Sequence, residues 1–257
     1  LEKGSVMCTV SWIHEERGYQ LFCNRDERHT RQPALPPRER RQRGVLFIAP
    51  VDGDHSGSWI GVNQFGLSLC LLNRYHDEGQ RAAAPPYMSR GLLVNELMDC
   101  QSRCEAQSRI EPADLTRYRP FTLLALEIEE PPLVVEWTGR KLLIERYGEL
   151  AMPLTSSSLD PKGVSLSRHQ HFNSLVAASG KIDSSLLCAF HASHFPSASA
   201  YSTCMHRDDA HTVSFSRIKV TRSRIEFLYH ADAPCRPAPI TRIDLRFTSK
   251  AAPKASR

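Results

Sequence analysis

The chain has 257 residues, a formal net charge of +5 and 24% charged side chains, the scale of one large globular domain rather than two. No apolar run approaches the roughly eighteen residues of a membrane span, and no N-terminal stretch combines the basic, apolar and small-residue parts of a secretion signal. The basic knots, Arg38 to Arg43 and Lys250 to Arg257, have no aromatic ladder beside them, which argues against nucleic acid. In chain order, Met7 to Ile13 and Tyr19 to Asn24 are predicted strands, joined by a turn at Glu15 to Gly18 into a hairpin. The Pro- and Arg-rich stretch from Thr30 to Gly44 shows neither period and is expected to be a loop. Val45 to Ala49, Trp59 to Asn63 and Leu67 to Asn73 are further strands, with Gly66 turning the chain between the last two.

One helix is expected from Met88 to Cys104, because Leu93, Leu97, Cys100 and Cys104 recur at helical spacing. Strands follow at Phe121 to Ile128, Leu133 to Trp137 and Lys141 to Glu145. Two helices come next, about 165 to 178 and 183 to 194, with Gly180 stopping the first and Asp183 capping the second. Thr212 to Val220 and Arg224 to Tyr229 form a closing hairpin. Antiparallel strand runs with helices in blocks define an α+β protein. One domain is expected over residues 8–248, with 1–7 a leader or upstream extension and 249–257 a disordered basic tail.

The eight cysteines have no framework spacing, and without a secretion signal they read as reduced thiols in a cytoplasmic protein. Asp52, Asp54 and His55, the pair His169 and His171, and the pair His191 and His194 each lack a complete ligand set. No metal or other cofactor is therefore expected. Gly53 and Gly57 fit no phosphate-loop pattern.

The chemistry-bearing pattern is Met7-Cys8-Thr9-Val10, followed by Cys23-Asn24-Arg25-Asp26-Glu27-Arg28. A cysteine behind a removable methionine supplies a thiol and an α-amine together. The amine titrates near ~8, so it can serve as the thiol's own general base. A neighbouring arginine would favour the thiolate, and an aspartate could hold the amine.

This pattern resembles the NRDE family, which includes the transport and Golgi organisation type. The similarity continues through Gly57-Ser58-Trp59-Ile60-Gly61-Val62-Asn63, Gly66-Leu67 and Leu72-Asn73, and extends more weakly over nearly the whole chain. The resemblance implies a four-layer αββα sandwich of antiparallel sheets, that of the N-terminal-nucleophile hydrolases, with bile-salt and penicillin V amidases as relatives. It further implies Cys8 as nucleophile, Arg25 and Asp26 as groups that orient and tune it, and Asn73 as oxyanion donor. Asn24, Trp59, Ser157 and Arg207 are the candidate substrate contacts, Arg207 standing in for a late arginine of the amidases. Where those enzymes carry an asparagine, this chain has Ser156-Ser157-Ser158, and a hydroxyl reaches less far than an amide. Hydrolysis of a linear amide or thioester of a small acylated substrate is thus the expected function. Its rival is a non-catalytic carrier of the same fold for an acyl-lipid-like or tetrapyrrole-like ligand.

Overall fold

A computed structural model describes residues 8–75, 87–145 and 152–250; the expected leader, Leu1 to Met7, lies outside them. Strands β1 (Cys8–Glu15) and β2 (Gly18–Arg28) form the expected hairpin, longer than its apolar residues suggested. Then follow β3 (Leu35–Gln42), β4 (Val45–Val51), β5 (Ile60–Asn63) and β6 (Ser68–Asn73). Helices α1 (Arg90–Leu97) and α2 (Arg103–Ile110) lead to β7 (Phe121–Leu126), β8 (Leu133–Trp137), β9 (Leu142–Glu145) and β10 (Leu154–Ser156). Helices α3 (Pro161–Ser179) and α4 (Ser184–Ala192) precede β11 (Ala210–Thr221), β12 (Arg224–His230) and β13 (Ile240–Arg246).

The strands make two antiparallel sheets, ordered β10-β1-β2-β11-β12-β13 and β3-β4-β5-β6-β7-β8-β9. Their facing sides bury Val10, Leu21, Ile60, Leu72, Ile218 and Phe227 in a common core. Helices α1 and α2 cover the outer side of the second sheet, over Leu69, Leu71 and Leu123. Helices α3 and α4 cover the outer side of the first, where Phe172, Leu187 and Phe190 pack on Phe22. The layering is therefore αββα.

Two sequence expectations are corrected. The stretch from Thr30 to Gly44 is not a loop throughout, since β3 runs along the edge of the second sheet. Pro36 and Pro37 lie at its start, where a missing N–H costs little, and Arg38 to Arg41 charge the exposed edge. The single helix over Met88 to Cys104 is two helices. Ser102 caps α2 by accepting from Glu105 N (3.1 Å), while Glu105 accepts from Gln101 N (2.8 Å), a capping-box variant. Cys100 is accordingly buried ahead of α2 while Cys104 is exposed, so they do not share a helix side. Asp183 caps α4 through Leu186 N, and Gly180 ends α3 at φ +70°, both as expected. Within the expected tail, Lys250 pairs with Glu127; residues 251–257 lie outside the described ones.

The Asn63 to Leu67 stretch locks the second sheet to its helices. Asn63 Oδ1 accepts from Phe65 N and Leu67 N, while its Nδ2 donates to Met98 O (3.0 Å) and Cys100 O (2.6 Å) at the end of α1. Gly66 turns the chain at φ +73°, a region that favours glycine.

Candidate active site

Every residue of β2 from Gly18 to Asp26 is buried, because the strand is covered on both faces. Alternation therefore sends its polar residues to different places. Arg25 faces the space between the sheets, directly across from Cys8 on β1. Its guanidinium donates to Glu27 (3.0 Å) and Asp52 (2.6 Å) and lies 4.2 Å over the Trp59 ring. Asn24 and Asp26 face the other way, toward α3 and α4. Asn24 Nδ2 donates to His191 O and Thr203 O (2.9 Å each), and its Oδ1 faces His191 Nδ1 at 3.1 Å. Asn24 thus lies away from the Cys8 cavity and ties α4 and the segment before Cys204 to the sheet.

Asp26 Oδ1 accepts from Thr212 Oγ1 (2.6 Å), and Oδ2 lies 3.7 Å from Arg168 Nη2 on α3. A register shift between Thr212 and Ser214 in β11 puts Thr212 on the Asp26 face. The Cys8 backbone N–H donates to Ser156 Oγ, and the hydrogen bond from Asp26 to Cys8 is its backbone N–H, donated toward Sγ.

Cys8 lines a cavity of about 430 Å³ together with Arg25, Trp59, Asn73, Arg90 and Arg119, a size suited to a small ligand. The Cys8 N–H donates to Ser156 Oγ (3.1 Å), since β10 pairs Ser156 with Cys8 at the sheet edge. Asn73, at the end of β6, donates one amide hydrogen to Tyr75 Oη (2.8 Å); its second has no partner among the described residues. Trp59 Nε1 is likewise buried without a partner among them. Gly57 and Gly91 touch where α1 meets the cavity wall, and a Cβ on Gly57 would fall 2.5 Å from the Gly91 carbonyl carbon. That closeness brings Arg90, the first residue of α1, into the cavity.

Four expected residues, Cys8, Arg25, Trp59 and Asn73, therefore share one cavity. Ser157 does not join them. It lines a second space of about 660 Å³ on the far side of Asn73 and Ser156, and its hydroxyl donates to Leu159 O. Arg207 also lies elsewhere, paired with Asp209 (2.8 Å). Among the candidate metal ligands, Asp52 is held by Arg25 and Arg31 at 2.6 Å each. His191 is a buried tether against Ser11 Oγ (2.9 Å), its pKa pushed down to about 3 by burial and by Arg168.

Sequence reasoning missed Ser156, Arg90 and Arg168. Arg168 is fully buried, donates to Thr9 Oγ1 and Ala200 O (3.2 Å), and sits within electrostatic reach of Cys8 and Asp26. The Cys8 thiol is not a preformed thiolate. Burial, then the charges of Cys23 and Asp26, push its pKa well above the ordinary value. The Arg25 guanidinium is engaged by Glu27 and Asp52. A nucleophilic role for Cys8 would consequently require a base.

Burial also raises the Asp26 carboxyl from 3.8 to about 6, against the opposing pull of Arg168 and Thr212. A raised folded-state pKa favours the folded protein below the unfolded value, and that stability is lost as pH rises through about 6. Wild type should therefore lose about 2–3 kcal/mol relative to Asp26→Asn between pH ~4 and ~7, at ~1.4 kcal/mol per unit. Urea unfolding of both proteins across that range measures it, and a parallel pair of stability curves would contradict it.

Two antiparallel sheets between helical layers, with a cysteine at the start of the first strand facing a cavity, define the N-terminal-nucleophile hydrolase fold. The Caenorhabditis elegans N-acylethanolamine-hydrolyzing acid amidase ortholog matches it at TM-score 0.54 and 11% identity, over 90% of this chain and 94% of that chain. A variant of the conjugated bile acid hydrolase from Clostridium perfringens matches at TM-score 0.52 and 13% identity, over 96% of this chain and all of that one. The chain belongs to the Transport and Golgi organisation 2 family, whose model matches residues 7–209. No curated protein matches the sequence. No helix among the described residues is long and apolar enough to cross a membrane.

Proposed function

We propose that the protein is a cysteine N-terminal-nucleophile hydrolase that cleaves an amide or thioester of a small acylated substrate. The observation that carries this is the joint presence of Cys8, Arg25 and Asn73 around one cavity, with Ser156 Oγ at the Cys8 nitrogen. With Cys8 as the first residue, its α-amine takes the thiol proton as Sγ attacks the carbonyl carbon. The free amide hydrogen of Asn73 stabilises the oxyanion, a contribution of ~3–4 kcal/mol to the transition state. The ammonium then protonates the leaving nitrogen or sulfur, the scissile bond breaks, and a thioester to Cys8 remains. Water, activated by the same amine, releases the acid and restores the thiol. Arg25 shapes the cavity wall through Trp59. Asp26 acts through Thr212 and its backbone N–H rather than by touching substrate.

Arg90 and Arg119 line the cavity and meet no carboxylate among the described residues. A substrate with an anionic group beside the scissile bond suits them. An electrophilic acyl probe and a panel of N-acyl amino acids and N-acyl amines test the proposal on protein with Cys8 exposed. Covalent labelling at Cys8 with faster turnover of the N-acyl amino acids is the expected result. A carrier of the same fold is the second reading, favoured by serine at position 156 in place of an amide-bearing residue. Saturable ligand binding with no acyl-enzyme and no turnover across the panel would establish the carrier instead.

A further inference from the structure

We propose that His194, Cys204, His206 and Cys235 bind a structural zinc ion. Their ligand atoms all lie within 4.8 Å of one another. The Cys204 Sγ to His206 Nε2 distance is 3.6 Å, and the Cys235 Sγ to the same Nε2 is 3.4 Å. A tetrahedral ion with Zn–S of ~2.3 Å and Zn–N of ~2.05 Å separates a sulfur from a nitrogen by about 3.5–3.6 Å. The His194 and His206 rings are 5.0 Å apart at 70°, so they meet edge to face rather than stacked. Two thiols and two imidazoles make the ligand set of closed, four-coordinate zinc sites. None of the four residues lines the Cys8 cavity.

The backbone holds these ligands in place before any ion arrives. His194 follows α4, and the preceding carbonyl, Ser193 O, accepts from Cys204 N at 3.0 Å. His206 bridges His211 at the head of β11. Cys235 sits in the turn between β12 and β13, closed by Arg236 N donating to Ala233 O at 2.9 Å. The ion would thus join the end of α4, the strand-leading segment before β11 and the β12–β13 turn. Binding is balanced: the two thiols each release a proton, the two neutral imidazoles lend lone pairs, and the bound ion with two thiolates carries no net charge.

The site stands directly behind Asp26. Met205 N, between the Cys204 and His206 ligands, donates to Thr212 Oγ1 at 2.8 Å, and that hydroxyl donates to Asp26. Zinc here fixes the Cys204 to Thr212 turn and so positions Thr212 under the carboxylate. Catalysis is not needed for the site, and the site does not depend on Cys8.

The test is metal analysis of the whole chain, loaded with zinc under reducing conditions and dialysed. About one zinc per chain is expected, with two protons released on loading and a several-degree fall in Tm on chelation. Cobalt(II) in place of zinc should show the absorption of a tetrahedral ion with thiolate ligands. Cys235→Ser and His194→Ala alter exposed residues, open no core cavity, and should weaken binding about 100-fold or more. His194→Cys should retain the ion, as should Cys104→Ser, whose thiol is exposed elsewhere. A folded protein that binds no zinc or cobalt, or a native Cys204–Cys235 disulfide in the metal-free chain, would overturn the proposal.

Discussion

Protein cut so that Cys8 is the first residue should hydrolyse the preferred N-acyl substrate, while the same chain with Leu1 to Met7 attached should be slower by at least about 1,000-fold. A peptide nitrogen at Cys8 has no basic lone pair, and burial holds the thiol protonated, so without the amine neither nucleophile nor base is ready. Cys8→Ala on the cut protein should fall to the same floor. Cys8→Ser should retain little, since a hydroxyl is a weaker nucleophile needing the same base. Comparing kcat/KM of the four proteins decides this. Equal rates with and without the N-terminal residues would remove the α-amine from the mechanism, even if Cys8 remained essential.

Replacing Arg168 with methionine should cost about 3–5 kcal/mol of stability at neutral pH, the usual penalty for leaving one half of a buried ion pair. Its guanidinium is fully buried against Asp26, Thr9 and the Ala200 carbonyl. Without it, Asp26 would be a buried carboxylate with only Thr212 as partner, and its pKa would rise further. The loss should therefore shrink as pH falls toward 6, because the variant's Asp26 takes up its proton at a higher pH than the wild type's. Adding Asp26→Asn should recover part of the loss, so the double variant costs less than the sum of the two singles. Urea unfolding at pH 5 and pH 7 measures both effects. A loss independent of pH would mean that Arg168 acts through packing alone.

Much of the strand framework was legible because its apolar and β-branched runs are bounded by turn residues, as at Val45 to Ala49 and Leu133 to Trp137. Elements whose stability comes from position were not. β3 is polar because it is an edge, and β13 exposes alternate residues from Ile240 to Arg246. The break between α1 and α2 was written in Ser102 and Glu105, a local signal outweighed by the helical spacing of Leu93, Leu97 and Cys100. Cys8, Arg25, Trp59 and Asn73 share the cavity, and a family resemblance reaches all four. Asn24 was misplaced because β2 is buried on both faces, which hides its alternation. Ser157 was chosen over Ser156, and the choice depends on a one-residue register against Cys8. Arg168 had no sequence signal: an arginine on a helix looks solvated until the fold places Asp26 opposite it.

The four letters Asn24, Arg25, Asp26 and Glu27 form one continuous word in the sequence but serve two faces of the strand. Arg25 and Glu27 border the Cys8 cavity, whereas Asn24 and Asp26 hold the helical layer and the Cys204 to Thr212 segment. On the proposed function, a change of ligand is expected to act on the odd positions, whereas the even ones answer to architecture. Relatives sorted by parity within this word would therefore separate into those that share a fold and those that also share a substrate.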